Sequence, residues 1–309
     1  MPQVARKLIG TGISVLLLAV LLPLNASATA SDLQTVVDDL GREVTLSNTP
    51  RRIVSLAPSI TETLFAIGLG DRVVGVTQYC DYPPEAQAKP KIGYTHPSLE
   101  AIVALQPDLI VAPREILRAD MLGKFEQLQI PSYVFDVHTV DSILSHIQTL
   151  GLILGASAAA DDVAREMRRR IEEIKARTSF LPRLRVLYVL NSEPLITVGP
   201  GSFIHEAIEM AGGTNVAARA RTAYPRLSME AVLKEDPELI LFPTGRAEGI
   251  ARGEEEHWQR WTTLSAIQHG RLHRVPNELL NRPGPRIVQG LDALARAIHP
   301  EAFAERGTP

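Results

Sequence analysis

The sequence predicts an α/β protein of two related α/β lobes with a cleft between them, joined by one long rigid helix. Strand-like and helix-like segments alternate over residues 52–137 and again over 184–300, which is the pattern of parallel α/β layers. A long, one-sided helical segment lies between the two blocks, and part of the first block recurs in the second. With 309 residues, the chain is long enough for two lobes of ordinary size.

Residues 1–30 have the pattern of a cleaved export signal. Arg6 and Lys7 precede an apolar run at 13–24, and small residues follow at 26–30. The apolar run is shorter than the roughly 20 residues that a membrane-spanning helix needs. Because no cysteine lies at the expected cleavage site, the sequence predicts a periplasmic protein that is not a lipoprotein.

Residues 31–155 are predicted to form the N-terminal lobe, which opens with a hairpin at 35–46. Short apolar runs predict four strands in this lobe: 52–57, 72–76, 108–113 and 132–137. Segments with helical periodicity predict three helices between them: 59–68, 98–105 and 121–128.

Two helices are predicted after the first block, at 140–155 and 159–178, and the second forms the linking segment 156–180. Four apolar residues of the second helix recur on one face: Val163, Met167, Ile171 and Ile174. The other faces carry charged residues at helical spacing. This pattern is typical of a surface helix, and it also suits a stiff strut between two lobes.

Residues 181–309 are predicted to form the C-terminal lobe. Its predicted strands are 184–191, 238–243 and 271–275. Its predicted helices are 202–213, 228–235, 257–270 and 286–300. The lobe therefore repeats the alternation of the first.

An internal repeat relates the two lobes. Residues 98–113 (SLEAIVALQPDLIVAP) and 228–243 (SMEAVLKEDPELILFP) are identical at seven positions without a gap. A helix, a turn with proline and a strand can recur by chance in any α/β protein, which accounts for the apolar matches. Chance does not readily account for the polar matches at the same offset of 130 residues, so we interpret the lobes as related.

Matched polar residues of the repeat point to the cleft and to the lobe surfaces. Tyr94 and Tyr224 stand four residues before the two helices, and Glu100 and Glu230 stand near their starts. In open α/β sheets, the loops at the carboxyl ends of the strands face such a cleft. Tyr79 directly follows a predicted strand, so the three tyrosines are candidates for ligand contacts.

No set of residues for covalent chemistry stands out in the sequence. Cys80, the only cysteine, has no signature of an activating histidine around it, and it cannot form an internal disulfide. No metal-binding motif occurs, although His96 beside Tyr94 is a candidate ligand of a haem or cobalt centre. Arg282, in the stretch 281–286, is either a contact for an anionic or amide-rich ligand edge or a surface charge. The net charge of −3 gives no indication of a nucleic-acid partner.

Three stretches carry a resemblance to a known family: residues 51–86, 97–112 and 281–291. They resemble the periplasmic substrate-binding proteins of ABC importers for cobalamin, siderophores and haem (class III periplasmic binding proteins), and the cobalamin branch most closely. The resemblance covers about residues 50–300. It implies two α/β lobes joined by one long helix, with a metal chelate held between them.

The resemblance also implies roles for individual residues. Positions that are aromatic and hold the ligand in the relatives fall on three tyrosines and one aliphatic residue here: Tyr79, Tyr94, Tyr224 and Ile196. The two glutamates that dock on permease arginines in the relatives fall on Glu100 and Glu230. The alternative is that these are two solvated glutamates favoured by the helix dipole.

The resemblance implies capture of cobalamin or a related corrinoid, and delivery to an ABC permease and ATPase complex in the inner membrane. We expect a monomer without catalytic activity, in which the metal chelate is the cargo and no cofactor is resident. A ferric-siderophore or haem carrier of the same fold is the first alternative. An exported α/β enzyme is the remote alternative.

Overall fold

The computed structural model describes residues 34–94, 96–245 and 253–304. The predicted signal at 1–30 lies outside these residues. The described chain opens with the expected hairpin of β1 (Gln34–Val37) and β2 (Glu43–Leu46), which pair antiparallel. Asp38 closes its turn, because one carboxylate oxygen accepts hydrogen bonds from the backbone N–H groups of Leu40 and Arg42, both at 3.0 Å.

The first lobe is built on a parallel four-stranded sheet in the order β4-β3-β5-β6. Its strands are β3 (Ile53–Ser55), β4 (Val73–Val76), β5 (Leu109–Pro113) and β6 (Ser132–Phe135). The helices between them are α1 (Pro58–Ala66), α2 (Pro84–Gln87), α3 (Leu99–Ala104) and α4 (Ala119–Gln127). The strands are almost entirely buried, as continuous apolar runs of a sheet covered on both faces should be.

Two long helices follow the first sheet: α5 (Val140–Ile153) and α6 (Ser157–Thr178). α6 confirms the long helix predicted at 159–178. Its buried residues recur every three or four positions: Ala160, Ala164, Met167, Ile171, Ile174 and Thr178. α6 packs against α5 and also against a helix of the second lobe. Its apolar stripe is therefore covered by elements that precede it and by elements that follow it in the chain.

The second lobe is also built on a parallel four-stranded sheet, in the order β10-β7-β11-β12. The strands of this lobe are β7 (Leu184–Tyr188), β8 (Asn191–Ser192), β9 (Leu195–Ile196), β10 (Gly213–Asn215), β11 (Leu239–Thr244) and β12 (Leu272–Pro276). Its helices are α7 (Phe203–Met210), α8 (Met229–Glu235), α9 (Glu254–Trp258), α10 (Ser265–Gln268), α11 (Asn277–Leu280), α12 (Ile287–Ile298) and α13 (Pro300–Phe303). β8 and β9 form a separate small hairpin.

One apolar core runs through both lobes. It includes Leu109 of the first sheet, Ile147 of α5, Met167 of α6 and Val186 of the second sheet. A further cluster of buried residues lies within each lobe. The predicted lobe limits at 155/156 and 180/181 stay predictions, since the two lobes share this core. None of the helices in the described ranges is long and apolar enough to span a bilayer.

Two predicted helices have different limits in the structure. The helix predicted at 202–213 ends at Met210, because Gly212 adopts φ +85° and the chain then enters β10. The helix predicted at 257–270 is wrong as a single element, since α9 ends at Trp258 and α10 begins at Ser265. Two β-branched threonines lie in the interruption, where helix propensity is low.

Candidate ligand-binding cleft

Cys80 anchors the loop that follows β4. Its side chain is buried, and its sulfur lies 3.1 Å from the hydroxyls of both Thr61 and Thr77. Its carbonyl accepts a hydrogen bond from the Lys91 ammonium at 3.1 Å. Burial raises the pKa of the Cys80 thiol despite these hydrogen bonds, so the group is neutral at neutral pH. Cys80 therefore supports the shape of the loop.

Tyr79 and Tyr94 meet on the wall of the first lobe. Their ring centroids lie 4.5 Å apart with an interplanar angle of 89°, an edge-to-face pair. Both side chains are half-buried. The loops that carry them are joined by a hydrogen bond of 3.4 Å from the Gln78 N–H to the Gly93 carbonyl. Both tyrosines are predicted ligand contacts, and the structure brings them together. His96 lies exposed in the loop of Tyr94.

Tyr224 belongs to the second lobe and faces the first. Burial raises its pKa, a hydrogen bond with Ser202 lowers it, and the charges of Glu115 and Asp136 raise it again, leaving the pKa above its ordinary value. Glu115 and Asp136 follow the carboxyl ends of β5 and β6, so Tyr224 lies within electrostatic reach of the first lobe. Its side chain is 52% exposed, which leaves its ring accessible to a ligand.

Ile196 lies in β9 and is half-buried. It forms an antiparallel bridge with Arg226, two residues after Tyr224. The structure therefore places the predicted contacts Ile196 and Tyr224 on neighbouring segments of the second lobe. The roles of both residues in ligand binding stay predictions.

Charged side chains join the two lobes at one edge of the cleft; we call Glu62, Asp81, Arg282 and Arg286 the interlobe seam. Arg286 donates two hydrogen bonds to the Glu62 carboxylate, at 2.7 and 2.6 Å, and its guanidinium lies 4.0 Å from the centroid of the Tyr82 ring. Arg282 donates to Asp81 at 2.6 Å and to Glu62 at 3.3 Å.

Arg282, which the sequence predicts as a ligand contact, is part of the interlobe seam. Its side chain is 10% exposed and is held by the two carboxylates, so a ligand contact would compete with them. For Asp81, burial opposes ionisation, but the hydrogen bond and charge of Arg282 outweigh it and lower the pKa. The ligand contact predicted for Arg282 is untested.

Sequence reasoning missed Glu62 and Arg286 as partners. Glu62 is 3% exposed in α1, and its partner lies 224 residues away. The sequence did offer one signal, because Glu62 is the only charged residue in the predicted helix 59–68. A buried charge needs a partner, so this residue could have been expected to form an ion pair.

A second set of interlobe contacts lies at the start of α5. Glu206 of α7 accepts a hydrogen bond from the Val140 N–H at 2.6 Å. A carboxylate is favourable at that position, because the first N–H groups of a helix have no partners within it. His138 Nδ1 also lies 3.3 Å from the carbonyl of Gly201. The lobes are therefore held together at more than one point.

Glu100 and Glu230 occupy equivalent places in the two lobes. Ser98 and Ser228 cap α3 and α8, and each hydroxyl accepts a hydrogen bond at 3.1 Å from the N–H three residues on. Both glutamates lie in the first turn and are exposed. Hydrogen bonds from its own backbone N–H and from Ser98 lower the pKa of Glu100. The geometry agrees with the sequence repeat, and docking by these residues stays a prediction.

In the part of the chain that the structure describes, no group of three or more histidine, cysteine or acidic side chains is arranged to hold a metal ion. What the residues offer instead is a cleft with aromatic rings on both walls and a charged edge. Such a site can hold a large, partly flat ligand.

The chain matches the family "Periplasmic binding protein" over residues 53–279. It is 32% identical over 251 residues to the vitamin B12-binding protein of Vibrio parahaemolyticus, covering 80% of this chain and 90% of that protein. It is 30% identical over 278 residues to the uncharacterized ABC transporter substrate-binding lipoprotein YvrC of Bacillus subtilis, covering 88% and 87%. The structure of the periplasmic vitamin B12-binding protein BtuF of Vibrio cholerae superposes with a TM-score of 0.71 at 29% identity, covering 83% and 99%. This likeness confirms the predicted two-lobed α/β fold.

One expectation from the sequence is corrected by these relatives. The prediction of a periplasmic protein that is not a lipoprotein is wrong, because YvrC is named a lipoprotein. A basic start and an apolar run mark a segment for export. They do not decide whether the exported protein is released or is anchored to a membrane by a lipid. Binding proteins of this family are extracellular or periplasmic.

Proposed function

This chain belongs to the periplasmic binding protein family, and from that premise we propose that it captures cobalamin or a related corrinoid for an ABC importer. The ligand is held between the two lobes and handed to the membrane permease. The metal chelate is the cargo, no resident cofactor takes part, and the protein acts as a monomer. Capture and release involve no covalent step, so the protein is not an enzyme.

The arrangement of three tyrosines carries this proposal. Tyr79 and Tyr94 form an edge-to-face pair on one lobe, and Tyr224 stands on the other lobe, within electrostatic reach of two acidic residues of the first lobe. Aromatic rings offer large, stiff and flat contact areas with a polar edge. A corrinoid is a large ring bearing polar amides, so it suits such walls. Two relatives at 32% and 33% identity are named vitamin B12-binding and cobalamin-binding proteins, which supports the choice.

Delivery to the permease uses the two matched glutamates in this proposal. Glu100 and Glu230 are exposed in the first turns of α3 and α8, one on each lobe. Two carboxylates at equivalent places suit a permease that carries arginines on its surface. Exposed ion pairs contribute little affinity each, so they orient docking more than they hold it.

Haem is the second candidate cargo, because the cleft loop carries both a phenol and an imidazole. Tyr94 and His96 lie two residues apart, and either group is an axial ligand that haem iron accepts. The cleft is less suited to a ferric siderophore. Arg282, the cation nominated for it, is held by Glu62 and Asp81.

Parallel calorimetry distinguishes these cargoes. Purified mature protein is titrated with cyanocobalamin, haemin and a ferric siderophore under identical conditions. We expect one molecule of cyanocobalamin to bind tightly per chain, with weaker or no binding of the other two. Tight haemin binding with no heat from cyanocobalamin would overturn the proposed cargo in favour of haem.

A further inference from the structure

Two acidic side chains of the first lobe follow neighbouring strands. Glu115 comes two residues after β5, in a turn closed by a hydrogen bond of 3.1 Å from the Ile116 N–H to the Pro113 carbonyl. Asp136 directly follows β6, which pairs with β5 in parallel. Because the carboxyl ends of parallel strands meet at one edge of a sheet, both residues belong to the edge that faces the cleft.

Asp136 is linked to the second lobe through His138. Its carboxylate lies 3.1 Å from His138 Nε2, and His138 Nδ1 lies 3.3 Å from the carbonyl of Gly201. The next residue, Ser202, forms a hydrogen bond with the Tyr224 side chain. The Asp136 carboxylate and the Tyr224 hydroxyl therefore stand at the two ends of a chain of contacts that crosses the cleft.

The charges that act on the Tyr224 hydroxyl are both acidic. Burial is the largest cause of its raised pKa, and the charges of Glu115 and Asp136 raise the pKa further. Arg219 and Arg221 are exposed on the loop that carries Tyr224, but their charges are not among those that act on its hydroxyl. The electrostatic potential beside this predicted ligand contact is therefore negative.

The two carboxylates differ in how far their charge is neutralised. Asp136 accepts a hydrogen bond from the Arg114 guanidinium at 2.7 Å, in addition to its contact with His138. Glu115 is exposed, and within the described ranges its side chain forms no ion pair or hydrogen bond. Its neighbour Arg114 is engaged by Asp136. Glu115 is therefore the acidic group of this wall that a ligand can reach.

Building on the proposed function, we propose that Glu115 selects the cargo by the charge of its peripheral groups. A carboxylate accepts hydrogen bonds from amide N–H groups and repels other carboxylates. The peripheral amides of a corrinoid are neutral, whereas haem carries two propionates. Glu115 thus favours a flat metal chelate that bears amides over one that bears carboxylates.

Cyanocobalamin and its monocarboxylic acids test the proposal. In each acid one peripheral amide has been hydrolysed to a carboxylate, so the ring and the metal are unchanged and one negative charge is added. Each isomer is titrated separately by calorimetry at pH 7 and low salt. We expect at least one isomer to bind about fivefold or more weakly than cyanocobalamin. Equal affinity of every isomer would overturn the proposal.

Glu115→Gln removes the charge and nearly preserves the shape of the side chain. We expect the ratio of dissociation constants, acid over amide, to fall about threefold to fivefold for the affected isomer, as for one partly screened charge pair. Glu126→Gln is the matched control on α4, because it makes the same charge change at a side chain that is 67% exposed. An unchanged ratio in Glu115→Gln, or an equal fall in Glu126→Gln, would contradict the role of Glu115. Thermal unfolding verifies that both variants are folded.

Salt gives a measurement that needs no substitution. Raising the ionic strength to about 1 M shortens the screening length to about 3 Å. We expect the ratio of the unsubstituted protein to fall towards that of Glu115→Gln, and the ratio of the variant to change less. A ratio of the unsubstituted protein that does not depend on salt would argue against selection by charge.

Haemin separates this inference from the proposed cargo. If haemin binds and no corrinoid does, the proposed cargo is wrong, and haemin is then compared with its bis-amide, in which both propionates are converted to amides. Tighter binding of the bis-amide, by a factor that shrinks in Glu115→Gln, leaves the role of Glu115 standing. If cyanocobalamin binds tightly and Glu115→Gln keeps the full preference for it over its acids, the cargo stands and the role of Glu115 is wrong.

Discussion

At the residue scale, Cys80 combines burial with a raised pKa. The thiol is 1% exposed, and a thiol reacts as its thiolate and only when a reagent can reach it. We expect no reaction of the native protein with Ellman's reagent at pH 8 and one equivalent of thiol in denaturant. Rapid labelling of the folded protein would contradict the structural role assigned to Cys80.

The tyrosines of the cleft give a second prediction. Replacing Tyr79 by alanine removes one ring of the edge-to-face pair and exposes the other, and Tyr224→Ala removes the ring of the opposite wall. We expect each change to weaken cyanocobalamin binding about tenfold, in keeping with the energy of one aromatic contact. Tyr79→Phe, which keeps the ring, is the control and should bind within about threefold of the unsubstituted protein by calorimetry.

The ionisation of Asp81 makes the stability of the fold depend on pH. Its pKa is lowered in the folded protein, so the Asp81–Arg282 pair stabilises the fold above the unfolded pKa of about 3.9. That stability is lost as the pH falls through the folded pKa. We expect Asp81→Asn to lower the free energy of unfolding at pH 7 by no more than about 1 kcal/mol, because water screens this half-exposed carboxylate. Urea unfolding at pH 7 and pH 3 measures the difference, which should shrink at pH 3.

At the element scale, α6 depends on its buried stripe. Met167 is 3% exposed and lies in the core that both lobes share. Met167→Ala should lower the free energy of unfolding by about 2–5 kcal/mol, the usual cost of such a cavity. Arg165→Ala, on the exposed face, removes only a surface pair with Asp162, and it should cost less than about 0.5 kcal/mol. Denaturant unfolding of both variants makes the comparison.

The sequence was informative about elements with a long apolar pattern and less so about short ones. Seven of the eight strands of the two parallel sheets, and α6, follow from apolar runs or helical periodicity. The sequence did not predict β10, which has only three residues. β8 and β9 have two residues each, too few for any period to appear. The break between α9 and α10 also escaped, because the apolar residues on either side continue a helical spacing.

The residues of the candidate site also divide into those that the sequence predicts and those that it does not. Tyr94, Tyr224, Glu100 and Glu230 could be nominated because the repeat matches them at one offset. Glu62 and Arg286 could not be paired from the sequence, since their contact depends on how the lobes are packed. The engagement of Arg282 by carboxylates of the other lobe is a tertiary contact of the same kind.

At the scale of the whole molecule, the seam and the shared core limit lobe motion. Glu62 is nearly fully buried and holds two arginines of the second lobe, and removing one partner of a buried pair costs about 3–5 kcal/mol. We expect the radius of gyration from solution scattering to change by less than about 1 Å when cyanocobalamin is added, as for a small hinge motion.

The variant Glu62→Ala tests whether the seam restricts this motion. Without the Glu62 carboxylate, Arg286 and Arg282 lose their buried partner. The lobes are then held mainly by α5, α6 and the core. We expect a larger difference in radius of gyration between the free and bound variant. Arg114→Ala, which removes an exposed pair with Asp136 at 2.7 Å, serves as the control. Identical scattering of Glu62→Ala with and without ligand would contradict a restraining role for the seam.

A seam that resists opening also has a kinetic consequence. With a lobe separation that is nearly the same in the free and the bound protein, a ligand enters and leaves the cleft while Glu62 and Arg286 stay paired. We therefore expect the proposed cargo to bind at a rate set by diffusion and orientation, with no slow conformational step before or after the encounter.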